Sequence, residues 1–309
     1  MSARATDCVS RFAARQHDIR GQWVHLSSVW LALREHGDYP AVVRDLLGES
    51  VAAVVLLAST LKFDGMLTLQ LQGDGAVRLL VAQCSHDYRV RGVARFDAAR
   101  VAAAGEDFAQ LTGRGQITVT LEAGKSAAPY QGIVPLDGNS LAQCLEHYFA
   151  NSEQLPTAVR LASDADAVAG MLVQRMPSSG GTALVAAAEL RLASADAGFA
   201  AARAQLASLD PDELLARSAA DLVQRCLPND DVRLLPGDVV RFECRCSTER
   251  VSGMLRSLGE TEVRGVLAEQ GSVTVTCEFC HRPYRFDAID VGRIFVAAEA
   301  DVAGSDRLN

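Results

Sequence analysis

Cys244-Arg245-Cys246 and, thirty residues further on, Cys277-Glu278-Phe279-Cys280 decide how this chain is read. Written as a pattern they are C-x-C, x30, C-x-x-C. Four closely paired thiols suit one tetrahedral zinc, which takes four soft sulfur ligands and leaves no open position. Each short pair lets one turn present two sulfurs to the same ion, and the intervening stretch folds back to deliver the second pair. A lone C-x-x-C is weak evidence for such a site, whereas two pairs at domain-forming distance are specific. The expected ligands are therefore Cys244, Cys246, Cys277 and Cys280, one zinc per chain, in a segment of about 241–295.

The C-x-C half departs from the usual zinc ribbon, in which both halves are C-x-x-C. A disulfide across Cys244 and Cys246 closes a small strained ring, and strained disulfides are the labile kind. Two readings stay open from the pairs alone. One is a permanent structural zinc knuckle. The other is a site that holds zinc when reduced and loses it when oxidised.

Composition narrows the class. The chain has 309 residues, is 49% hydrophobic and 22% charged, and carries a formal charge of -8. That is ordinary globular composition with room for two domains. The acidic balance argues against a nucleic-acid surface, which needs a basic field over the phosphates. The cysteine segment agrees: from Arg241 to Arg293 eight arginines face eight carboxylates, with no lysine. The first twenty residues are charged and lack the apolar run of a signal peptide. The longest apolar run, Val51 to Ala58, falls far short of the roughly 20 residues that span a bilayer. The expectation is a cytoplasmic protein without membrane partners, where thiols stay reduced.

Read in order, Trp23 to Trp30 suggests a short strand and Pro40 to Lys62 a helix. Pro40 suits the helix start, and the second half, Val51 to Leu61, is apolar nearly all round and should be buried. Met66 to Gln72 alternates, Gly73-Asp74-Gly75 turns, and Ala76 to Ala82 returns as a hairpin. Further strands are expected at Tyr88 to Phe96, Gln116 to Leu121, Tyr130 to Leu136, Ala158 to Ala162 and Gly170 to Met176. A helix over Ser140 to Asn151 carries a capping box in Ser140 and Gln143. Hairpins with a few helices, rather than alternating βαβ units, indicate an α+β core over 1–180 with an antiparallel sheet.

Pro177 to Gly181 marks a domain edge. Residues 183–207 then hold twelve alanines. Alanine favours helix but buries little surface. A second helix opens with Asp210 as cap, Pro211 first and Glu213 third, and runs to about Cys226. These helices, in a linker over 181–240, should hold their neighbours only loosely. In the zinc segment Val273 to Thr276 leads into Cys277, and Tyr284, Phe286, Ile289 and Phe295 supply the small core. A unit this small usually needs a metal or disulfides to fold, so losing the metal should unfold it. Residues 296–309 form a C-terminal tail.

Other motifs fail on inspection. Gly124-Lys125-Ser126 resembles the end of a phosphate loop, but Val119 stands where that pattern needs glycine, so no nucleotide site is expected. Cys277 to His281 spells a c-type haem attachment pattern, which requires export and leaves the C-x-C pair unexplained. No βαβ context supports a thioredoxin-like reading. His281 reads as a surface residue beside the zinc, and Cys144 as core.

Taken together, these stretches resemble the bacterial heat shock protein 33 family of redox-regulated holdase chaperones. The resemblance covers nearly the whole chain. It includes Leu46-Leu47-Gly48-Glu49, Leu61-Lys62-Phe63-Asp64-Gly65, the run Leu69 to Gly75, Arg91-Gly92-Val93-Ala94-Arg95, Tyr130-Gln131-Gly132, the run Cys144 to Thr157, Gly170-Met171-Leu172 and the C-x-C, x30, C-x-x-C motif. Cys8, Cys84 and Cys226 lie outside the family's motif. The resemblance implies a non-enzymatic, ATP-independent holdase that binds unfolding client proteins under oxidative and heat stress. It implies an inactive zinc-bound reduced form. Oxidation then forms Cys244–Cys246 and Cys277–Cys280, releases zinc, unfolds the switch, loosens the linker and is accompanied by homodimerisation. Two other classes remain: an enzyme carrying a structural zinc ribbon, marked by a polar substrate pocket, and a nucleic-acid regulator, marked by salt-dependent binding.

Overall fold

A computed structural model describes residues 7–124, 129–177 and 185–305, with backbone alone for 123, 185–192 and 297–305. Two compact units result, 1–243 and 244–309.

The first unit runs β1 (Cys8–Ala14), β2 (Ile19–Leu26), α1 (Ser28–Arg34), α2 (Ala41–Thr60), β3 (Gly65–Gly73), β4 (Val77–Ser85), β5 (Arg89–Phe96), α3 (Ala98–Ala104), α4 (Phe108–Thr112), β6 (Gly115–Ala123), β7 (Tyr130–Pro135), α5 (Leu141–Tyr148), a π-helical turn (Phe149–Glu153), β8 (Thr157–Ser163) and β9 (Val168–Arg175). It continues with α6 (Val185–Ala207), α7 (Pro211–Ala216), α8 (Ala219–Cys226), β10 (Val232–Leu234), β11 (Asp238–Val239) and β12 (Arg241–Phe242). One sheet has the order β10-β1-β2-β9-β8, with β11 also on β1; the other has the order β12-β5-β4-β3-β6-β7. All pairings are antiparallel except the two-residue β12 against β5. The architecture is α+β, as the hairpin-rich pattern requires.

Helix α2 packs on strands of both sheets, so residues 50–59 are buried without interruption. That explains an apolar run too uniform to show a stripe. Its cluster takes one face of each sheet, including Leu69, Leu80, Val24 and Leu172. The opposite face of the first sheet forms a second cluster, where Phe12, Ile19, Trp23, Met171 and Val173 meet Phe199, Leu206, Leu209, Leu214 and Leu222 of the linker. Strand β9, covered on both faces, is buried along nearly its whole length.

Several expectations are corrected here. The strand expected at Trp23 to Trp30 ends at Leu26, and Trp30 lies on α1. The start of α1 is capped from far away: Asp7 Oδ1 accepts from the Ser27 and Val29 amides at 2.7 and 3.0 Å. Nothing local in the sequence announces that cap. The helix expected from Asp210 to Cys226 is broken in two. Arg217 is extended and Ser218 accepts from the Asp221 amide, capping α8 anew. Loose packing is also replaced: Leu206, Leu209, Leu214 and Leu222 are 0–1% exposed. The alanines decided the helix, but these spaced leucines decide the seat, each contributing about 1.5–3 kcal/mol of burial. Gly198 lets α6 pass close over His17, because a Cβ there would overlap the imidazole.

The 232–242 stretch, expected within or just after a helical linker, instead returns as short edge strands on both sheets. The break expected at Pro177 to Gly181 falls from Ser178 onward outside the described residues, as do Lys125, Ser126 and 306–309. Gly124, at φ +69°, turns the chain after β6. No helix among the described residues is long and apolar enough to cross a membrane.

The second unit holds α9 (Thr248–Leu258), α10 (Glu260–Gln270), the hairpin β13 (Val273–Thr276) and β14 (Pro283–Phe286), and α11 (Ala288–Ser305). Its core is one small cluster: Val251, Leu255, Val263, Val273, Tyr284, Phe286, Val291 and Ile294, with Phe295 packed against it. Ile289, expected in this core, is 64% exposed. It occupies the first turn of α11, where Val291 and Ile294 take the inward face.

Candidate metal centre

The hairpin β13–β14 ends in a tight loop that carries Cys277 and Cys280. The Cys277 amide donates to the Arg282 carbonyl at 3.0 Å and the His281 amide to the Cys277 carbonyl at 2.8 Å. His281 closes the loop at φ +50°, a left-handed conformation uncommon outside glycine. The other pair precedes α9. Ser247 caps that helix by accepting from the Arg250 amide, and Arg250 Nη1 donates to the Arg245 carbonyl at 2.8 Å. Arg250 thereby ties the C-x-C turn to the helix behind it. Sequence reading missed this residue; the signal was Ser247 three positions before it, a standard cap spacing.

These two loops bring Cys244, Cys246, Cys277 and Cys280 together, with all four sulfurs within 4.8 Å of one another. Cys244 and Cys277 stand 3.6 Å apart and Cys246 and Cys280 3.4 Å apart. Tetrahedral zinc with Zn–S near 2.3 Å requires S···S of about 3.8 Å. The donor set therefore fits such an ion, and no other group of this kind occurs among the described residues.

The thiols are unlike one another. Burial works against the Cys246 thiolate, but the nearby Tyr284 hydroxyl and the three clustered thiols outweigh it and bring its pKa down to about 7. Burial and the neighbouring thiols push Cys280 up to about 12. Burial raises Cys244 as well. The Arg282 guanidinium lies 5.5 Å over the Tyr284 ring, a cation–π contact beside the cluster.

The other cysteines are isolated. Cys84, Cys144 and Cys226 are buried and Cys8 half-buried. Burial pushes all four thiols up, Cys226 to about 11, which makes them poor nucleophiles. Cys144 belongs to the core, as expected.

The two units define a thiolate-cluster protein built on an α+β body. The family follows from comparison. The Hsp33 protein family matches residues 7–287. A 33 kDa chaperonin of Methylobacillus flagellatus is 37% identical over 302 residues, covering 97% of this chain and 98% of its own. One of Pseudomonas paraeruginosa is 39% identical over 297 residues, covering 95% and 96%. The crystal structure of the 33 kDa chaperonin from Thermotoga maritima shares the fold, with a TM-score of 0.77 at 21% identity over 96% of this chain and 99% of that one. The chain belongs to the Hsp33 family, and a chaperone function follows from that membership.

Proposed function

We propose that this chain is a redox-regulated, ATP-independent holdase that is inactive with zinc bound and is activated when its four clustered cysteines are oxidised. The observation that carries the reading is the cluster itself: four sulfurs within 4.8 Å, in a unit whose apolar core is a handful of side chains. Zinc bound to the four thiolates would supply on the order of 10 kcal/mol of folding free energy to a unit too small to fold well without it.

Cys277 with Cys280 and Cys244 with Cys246 then form disulfides, each passing two electrons to an oxidant such as a peroxide. Neighbouring thiols have the highest effective concentration for each other once the cluster opens. The disulfides consume all four thiolates, so the unit loses the ligands that held it.

Chain continuity supports a route from this event to the client surface. Cys244 follows β12 by one residue, and β10, β11 and β12 are edge strands of two or three residues. Unfolding beyond Glu243 frees that strap, which connects directly to α8. Heat then lifts α6–α8 from the sheet. Leu206, Leu209, Leu214 and Leu222 come free together with the Trp23, Ile19, Phe12 and Met171 face beneath them. A contiguous apolar surface of this kind captures unfolding proteins. Homodimerisation of the opened form, a cytoplasmic setting, the absence of enzymatic activity, and the arrangement as core 1–180, linker 181–240, switch 241–295 and tail 296–309 belong to the same proposal.

The test is light scattering of an aggregating client with reduced and oxidised protein side by side. Suppression only after oxidation supports the reading, and equal suppression by both forms contradicts it. Sedimentation of the two forms reads the dimer.

A further inference from the structure

A cavity of about 420 Å³ lies between α5, the π-helical turn, the start of β8 and α6. Its walls are Gln143, His147, Gln154, Phe199 and Arg203, with Glu146 among them. The volume is that of a small-ligand site. The wall is a built one. The π-helical turn, a device frequent at functional sites, is tied down by Tyr130 and Tyr148, whose hydroxyls donate to Glu153 Oε1 at 3.1 and 2.8 Å. Gln154 leaves it at φ +54°.

Three of the acceptor side chains in the wall are committed. Glu146 Oε1 accepts from the Val159 amide at 2.9 Å, and its Oε2 meets Arg203 at 3.3 Å. Gln143 Oε1 accepts from the Asn139 amide at 2.7 Å, leaving its NH2 group. The Thr157 hydroxyl donates to the Leu155 carbonyl and accepts from Gln174. Asp137 holds His147 Nδ1 at 2.9 Å, so Nε2 is its remaining polar atom. What is left includes two donors beside the Gln154 amide and His147 Nε2: the Gln143 NH2 group and the Arg203 guanidinium, whose five N–H groups are only partly engaged. The Phe199 ring and Pro156 provide an apolar floor.

We propose that this cavity binds a small organic carboxylate, its anionic head on Arg203 and Gln143 and its apolar body on Phe199. Two of those groups, Phe199 and Arg203, ride on linker helix α6, while the rest belong to the core. An occupant therefore bridges linker and core, and it favours the seated linker by mass action. This second part rests on the holdase reading; the binding itself does not.

The experiment titrates sodium phenylacetate into the reduced full-length protein and reads saturation-transfer NMR, with phenylacetamide as the neutral control. The expected result is saturable binding of phenylacetate and at least ten-fold weaker binding of the amide. Arg203→Ala and Ala150→Phe, both at exposed positions, each weaken phenylacetate at least ten-fold while the free variants keep the wild-type far-UV and near-UV dichroism. The absence of saturable binding, equal binding of the amide, or wild-type affinity in either variant overturns the site while leaving the chaperone reading intact. Saturating phenylacetate should also raise the temperature at which oxidised protein begins to suppress client aggregation, and an unchanged onset overturns the bridge.

Discussion

Arg160 on β8 donates through Nε and Nη2 to the Leu209 carbonyl, at 3.2 and 2.8 Å, fastening the chain between α6 and α7 to the sheet. Further polar ties of this kind lie along the linker beside its apolar contacts. His25 on β2 reaches the Leu215 carbonyl of α7 at 3.1 Å, Arg175 on β9 pairs with Asp196 of α6 at 2.8 Å, and His17 pairs with Asp230 beyond α8 at 2.9 Å. Apolar burial supplies the energy of the seat, and these ties fix its register.

Arg160→Gln removes a charged donor from a carbonyl at the linker seat. Such bonds are worth roughly 1.5–3 kcal/mol, so the linker should open at lower temperature. Hydrogen exchange of the α6–α7 amides at fixed temperature checks this: faster exchange there, with β3–β4 unchanged, is the expected pattern.

Gly198→Val forces a branched side chain into the His17 ring. Helix α6 must shift, at a cost of about 1–3 kcal/mol. Oxidised variant protein should therefore suppress client aggregation at a lower temperature than wild type, while the reduced variant keeps its metal. Loss of metal from the reduced variant would show damage beyond the linker.

Glu49 on α2 has its carboxyl raised to about 7 by burial and by Asp45, against the opposing pull of Arg160. An acid raised in the folded state stabilises the fold below its unfolded pKa of about 4.5, and that contribution is lost as pH climbs through 7. The difference is worth up to about 3 kcal/mol. Glu49→Gln should flatten the decline in stability between pH 4.5 and pH 8, measured by urea unfolding of the reduced protein. An unchanged slope counts against the assignment.

Cys277→Ser removes one of four sulfurs, and chelator treatment removes the metal altogether. Both should abolish order in the second unit and free the β10–β12 strap, while leaving the two main sheets and helices of the first unit folded, because the two apolar cores are separate. Metal content together with near-UV dichroism of Tyr284 and of Trp23 and Trp30 distinguishes the units. Full metal content in Cys277→Ser would contradict the ligand set.

The cluster was legible because metal ligation needs particular residue types at short spacing, and spacing is printed in the sequence. The core hairpins were legible for a similar reason, since alternation and turn residues are local. What stayed hidden depends on distant partners. Asp7 caps α1 and turns Trp30 from an expected strand into a helix. Ser218, an ordinary serine in an apparently continuous helical run, breaks α7 from α8. Alanine content fixed the helicity of α6 but said nothing of how firmly it sits, which Leu206, Leu209 and the Arg160 tie decide. Ile289 was misplaced because an isolated isoleucine carries no phase until α11 sets one.

On the proposed reading, cluster oxidation and linker release are coupled steps toward one client-binding surface. That coupling is tested most directly by client light scattering after four treatments: none, oxidant in the cold, heat with the metal retained, and oxidant followed by heat. Full suppression of aggregation is expected only after the combined treatment, with partial or no suppression after oxidant alone. Full activity after heat with the metal still bound would contradict the coupling.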